Sequence, residues 1–122
     1  MLESFDNQQY LNLETFRKNG QGVSTPVWFA REGNTLYVWT QANSGKARRV
    51  RNIPRVNIAP CKADGALLGD WHPATARRDD SPEAVKKVRG LFAKKYGLMF
   101  YAFGLLGTLR RACYTTLEIT PE

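Results

Sequence analysis

The sequence predicts a mainly β domain, a small barrel of about six short strands flanked by helices. Three observations carry this expectation. Apolar and polar residues alternate in short runs, the period of half-buried strands. Turn signals at Asn19-Gly20, Gly33-Asn34 and Asp64-Gly65 separate those runs. Helix-capping serines stand at Ser44 and Ser81. With 122 residues, 43% of them hydrophobic, the chain reads as a single domain, 1–122, able to bury a core.

Residues before Gln9 read as a helical end or a loose lead-in. Tyr10 to Lys18 places Leu11, Leu13 and Thr15 on one strand face. After Asn19-Gly20, Gly22 to Ala30 answers with Val23, Thr25, Val27 and Phe29 on one face and Ser24, Pro26 and Trp28 on the other. Pro26 has no N–H to donate, which predicts an edge or irregular strand. Beyond Glu32-Gly33-Asn34, Thr35 to Thr40 sets Leu36 and Val38 against Tyr37 and Trp39. A helix over Ser44 to Asn52 is stopped by Pro54. Val56 to Pro60 returns as a strand, and Ala63-Asp64-Gly65 turns into a long strand from Ala66 to Asp79, bent at His72-Pro73. Ser81-Pro82-Glu83 opens a helix with Val85, Val88, Leu91 and Phe92 on one face, ending at Gly97. A second apolar helix is expected over Leu98 to Arg110, and Cys113 to Thr120 closes the chain as a strand.

The net charge of +7 points toward an anionic partner. It is unevenly spread: from Gly33 through Ala63 there is no Asp or Glu, yet Lys46, Arg48, Arg49, Arg51, Arg55 and Lys62 all lie there. At Ser44-Gly45-Lys46 the capping hydroxyl, the free N–H groups of a first helical turn and an ammonium group coincide, which suits a phosphate. A solvated basic helix is the other reading of the same residues.

Catalytic groups are scarce. His72 is the lone histidine, without a cysteine or carboxylate at ligand spacing, and reads as a capped or exposed residue at a strand bend. There is no Walker loop, no G-x-G-x-x-G, no paired-cysteine spacing for zinc and no Ser/His/Asp set. No catalytic side chain is named from sequence, and no metal is expected. An enzyme built this way needs a cofactor to supply the reactivity. Cys61 and Cys113 read as buried free thiols. The N-terminus lacks the regions of a signal peptide, and the apolar run Leu98 to Leu106 is too short to span a bilayer. The expectation is a cytoplasmic protein without a membrane partner.

Four segments carry a resemblance: Tyr10-Leu-Asn-Leu-Glu-Thr-Phe-Arg17, Gly22-Val-Ser-Thr-Pro-Val-Trp-Phe29, the block Thr40…Ser44-Gly-Lys46…Asn52-Ile-Pro-Arg-Val56, and Tyr114-Thr-Thr-Leu-Glu-Ile-Thr-Pro121. In their order and spacing the chain resembles the pyridoxamine 5'-phosphate oxidase-like split β-barrel superfamily of flavin and deazaflavin oxidoreductases. It is most similar to the small branch that uses coenzyme F-420. The resemblance implies an FMN-binding-like split barrel that forms homodimers with cofactor sites at the interface. It implies that Lys46 pairs with the cofactor phosphate, with Ser44, Thr40 and Gln41 beside it. Arg48, Arg49 and Arg55 would meet a longer anionic tail, and Val23, Ser24, Thr25, Pro26 and Val27 would lie along the ring. Trp28 and Trp39 are open between core and ring-stacking roles. Trp71 is a candidate to reach a neighbouring subunit, and Leu98 to Leu106 offers an apolar interface or core surface.

The expected activity is hydride transfer between reduced F-420 and an unsaturated organic substrate. An FMN-binding oxidoreductase of the same superfamily is the nearest alternative. A non-catalytic cofactor-binding protein is another. A nucleic-acid-binding small barrel is the least favoured, because the basic residues gather near one cap instead of alternating with aromatics along a sheet.

Overall fold

The computed structural model describes residues 2–97 and 114–122. A short 3-10 turn, Glu3–Phe5, leads into seven antiparallel strands: β1 (Tyr10–Phe16), β2 (Gly22–Trp28), β3 (Ala30–Glu32), β4 (Thr35–Gln41), β5 (Arg55–Cys61), β6 (His72–Asp79) and β7 (Tyr114–Pro121). Helix α1 (Gly45–Asn52) joins β4 to β5, and α2 (Pro82–Tyr96) follows β6. The sheet order is β2-β1-β5-β6-β7-β4-β3. Its two outermost strands are consecutive in the chain, separated by Phe29 alone, so the sheet curls and the backbone itself bridges the two edges. This is the mainly β split barrel with flanking helices that the sequence predicts.

Two elements differ from expectation. The run Gly22 to Ala30 divides at Phe29, and its far side becomes β3, which pairs with β4 through Ala30↔Tyr37 and Glu32↔Thr35. That raises the strand count to seven. The long strand from Ala66 to Asp79 is also shortened: β6 begins only at His72, and the preceding stretch contributes one bridge, Cys61↔Leu67. Leu67, Leu68 and Trp71 in that stretch are exposed, so no buried face pins it to a neighbour. The expected helix over Leu98 to Arg110, the apolar run Leu98 to Leu106 and Cys113 lie outside the described residues.

The local rules behind the helices hold. Ser44 caps α1 by accepting from Ala47 N at 3.3 Å, and the helix yields before Pro54. Ser81 caps α2 in the same way at 3.2 Å, with Pro82 in the first turn; Gly97, at φ +60°, ends the helix. Pro26 lies on β2, an edge of the sheet, where its missing N–H costs no ladder bond.

The main core fills the barrel with the alternating faces read from sequence: Leu11 and Leu13 from β1, Leu36 and Val38 from β4, Val56 and Ile58 from β5, Leu117 and Ile119 from β7. A second cluster forms outside the barrel, where Val88 and Phe92 of α2 pack on Ala30 and Tyr37. Cys61 is a buried free thiol whose pKa is raised by that burial. Among the described residues no helix is long and apolar enough to cross a membrane, and no cluster of three or more metal-ligating side chains comes together.

Candidate functional site

Beyond Phe29 the hairpin splays. β3 stays with β4, whereas β2 turns away to pair with β1. The parting strands flank a cleft of about 400 Å3, walled by Val27 and Trp28 on one side and Trp39 and Thr40 on the other. Tyr10, Phe92 and Tyr114 bring further rings to it, and Lys46 reaches it from α1.

Each indole in the walls is backed by another ring. Trp28 stacks on Tyr96 of α2 at 4.4 Å and 13° between planes, and Tyr10 meets it edge-on at 6.4 Å. Trp39 lies 4.4 Å from Tyr114 and edge-on to Phe92 at 6.2 Å. Walls ordered in this way need little further immobilisation when a flat ligand enters, which lowers the entropy cost of binding.

The polar end is cationic. Lys46 is half-buried, and its pKa is pulled down first by that burial and then by the charge of Arg49. Among the described residues no carboxylate forms an ion pair with it. Ser44 spends its oxygen on the helix cap and keeps its O–H to donate. The guanidinium of Arg49 is fixed by Nε donating to Thr15 Oγ1 at 2.6 Å. Its Nη1 folds back over the first turn of α1, 2.7 Å from where a β-carbon on Gly45 would sit. A β-carbon there would displace the end of the Arg49 side chain from this position. The pKa of Arg49 is lowered by burial and then by the neighbouring charges of Arg17 and Arg48. Cations thus crowd the positive end of a helix dipole, an arrangement an external anion would relieve.

Of the residues read from sequence, the structure brings Val27, Thr40 and Lys46 into one cleft. Ser44 and Gln41 stand beside it, joined by the Ser44 N–H donating to the Gln41 carbonyl at 3.1 Å. Arg48 is exposed, Arg49 is turned toward Thr15, and Arg55 on β5 holds its guanidinium 5.9 Å from the Phe16 ring. Val23, Ser24, Thr25 and Pro26 continue along edge strand β2 and do not line the cleft. Trp71 is exposed outside it, and His72 faces the Phe5 ring at 6.0 Å. Tyr10, Phe92, Tyr114 and Thr15 were missed by sequence reasoning. One signal was present: Tyr10, Trp28 and Tyr114 are aromatic residues at strand ends, and the β1–β2 register sets Tyr10 opposite Trp28.

No family model matches the chain, and no curated protein does. Solved structures do. The heme storage protein HutZ from Vibrio cholerae superposes with a TM-score of 0.74 at 16% identity, over 98% of this chain and 86% of that one. A putative pyridoxamine 5'-phosphate oxidase from Listeria innocua gives 0.69 at 15%, over 99% and 90%. An F420 reductase gives 0.65 at 14%, over 99% and 92%. The fold of this chain is therefore the split β-barrel that these solved structures share.

Proposed function

We propose that the cleft between β2 and β4 binds a flavin-type cofactor, coenzyme F-420 in first place, and that the protein is an oxidoreductase acting on an unsaturated organic substrate. One observation carries the proposal: ring-backed aromatic walls converge with a carboxylate-free Lys46 at the start of α1. Flat apolar walls fit a tricyclic ring, and an ammonium beside helical N–H groups fits its phosphate, so the residues present suit the group.

When bound, the cofactor supplies a hydride donor and acceptor. The chain's own part is binding and orientation. Lys46 and the Ser44 hydroxyl hold the phosphate, with Arg49 adding charge from its Thr15 anchor. Trp28 and Trp39 wall the ring and exclude water, while Pro26 keeps the β2 edge from pairing with another strand. Arg17, Arg48 and Arg49 extend positive charge beyond Lys46, which favours a cofactor with a longer anionic tail. In this reading the substrate proton comes from solvent.

The second reading is FMN, supported by the same phosphate logic and by the name of the Listeria innocua structure. Titration with F-420 and with FMN, followed by absorbance, separates the two; failure of both to bind overturns the proposal. The heme-storage name of the Vibrio cholerae structure supports a binding protein without turnover. Assays of bound reduced cofactor against enones and quinones decide that point. We further propose a homodimer with the cofactor sites at its interface, tested by light scattering with and without cofactor.

A further inference from the structure

We propose that Lys95, on the last turn of α2, is a reversible carbonyl-capture site that takes an apolar or aromatic aldehyde as an imine. The cavities at this residue share no lining residue with the cofactor cleft, and the site does not depend on the function assigned there. The residue is solvent-exposed, but its nitrogen is drawn inward, 3.5 Å from the centroid of the Phe29 ring and 5.2 Å from that of Tyr96. Two cavities meet at this side chain. One, of about 450 Å3, has Phe5, Phe29 and Leu91 in its wall; the other, of about 430 Å3, runs along Gln8, Gln9 and Tyr96.

Among the described residues the surrounding charges leave the amine without a counter-ion. Asp6 is held by Arg31 at 2.7 Å, and Glu32 by Lys87 at 2.9 Å. Lys94 and Arg31 add only positive charge to the same cavity. Burial of the amine pulls its pKa down to about 8, so roughly a tenth of the population carries a free lone pair at pH 7, far more than for an ordinary lysine. Lys87, two turns earlier on the same helix, shows the contrast: Glu32 and Tyr37 hold its pKa above the ordinary lysine value.

The chemistry balances without an oxidant. The neutral nitrogen bonds to the aldehyde carbon, both its hydrogens leave with the carbonyl oxygen as water, and a C=N bond remains. The amine then gives up its 2.8 Å hydrogen bond to the Phe29 carbonyl, which remains within reach of the Tyr96 hydroxyl at 2.6 Å, a donor shared with the Gln9 carbonyl.

The test is labelling of the full chain with 4-carboxybenzaldehyde and cyanoborohydride, with adducts mapped by peptide mass spectrometry. Lys95 is expected to react at least tenfold faster at pH 7.5 than Lys18, Lys62, Lys86 and Lys94. Its rate should reach half-maximum by about pH 8. Uniform labelling, or a Lys95 rate below the others, overturns the proposal. In Lys95→Arg the fast adduct disappears with the circular dichroism unchanged; a fast adduct that persists also overturns it. If that variant fails to fold, the wild-type map still decides.

Discussion

Two lysines lose water to this fold without gaining a carboxylate among the described residues, and the outcomes differ. Lys46 lies in the first turn of α1, Lys95 in the last turn of α2. Burial lowers the pKa of both. At Lys46 the helix dipole and Arg49 add positive charge to positive charge, and the described residues supply no acceptor for the ammonium. At Lys95 the dipole is reversed, the Phe29 carbonyl accepts, and two ring faces receive the nitrogen. The ammonium at the helix start is left needing a ligand from outside; the amine at the helix end finds a hydrogen-bond acceptor in its own chain but is still penalised for carrying charge.

The largest effect should come from dismantling the satisfied end. Tyr96→Ala removes the ring under Trp28 together with the hydroxyl shared by Gln9 and Phe29. A loss of about 2–3 kcal/mol in urea denaturation is expected; a loss below 1 kcal/mol would mean this clamp does not hold the kink. Next comes the needy end. Lys46→Ala should weaken cofactor binding by about 1.5–3 kcal/mol while leaving folding intact, and Lys95→Met should leave that affinity unchanged. Equal effects of the two on cofactor titration would erase the distinction. A smaller change, about 1 kcal/mol of binding, is expected for Thr15→Val, which frees Arg49 from its anchor; calorimetry with the same cofactor checks it.

The smallest effect concerns pH. The pKa of Lys95 is lower in the folded chain, about 8, than its usual 10.5. The unfolded chain therefore binds more protons between those values, and this group's contribution to stability rises with pH across that window. Below about pH 8 the penalty of charging it is fully present. Melting temperatures of the wild type and Lys95→Met, compared at pH 7.5 and 10, should converge as pH rises; a gap that stays constant removes the burial argument.

Local chemistry is what the sequence displays well. Ser44, Pro54, Ser81-Pro82 and Gly97 set helix bounds through caps and stops that act within a few residues, so these bounds were readable. Pro26 announced an edge for the same reason. The cleft was legible only in part, since its lining comes from positions as distant as Tyr10 and Tyr114, joined by a sheet order that no local pattern encodes. Lys46 was found because charge and cap coincide in one turn. Phe92 passed as a core residue because its helical spacing reads identically whether it faces the sheet or a cavity. Arg49 was read from sequence as part of the basic cluster, but its attachment to Thr15 spans 34 positions and no local pattern shows it. The division at Phe29 escaped because β2 and β3 continue one another in a single alternating run.

That division governs how this barrel can deform. The two sheet edges are joined by a peptide bond on each side of Phe29, so they cannot drift apart, yet no ladder ties β2 to β4 along the cleft. Widening or narrowing the slot would combine rotation about Phe29 with a change of twist in the sheet that runs from β2 through β1, β5, β6 and β7 to β4. The stiffness of the Phe29 joint, held by Tyr96 and Lys95 on its backbone, would help fix the width at rest.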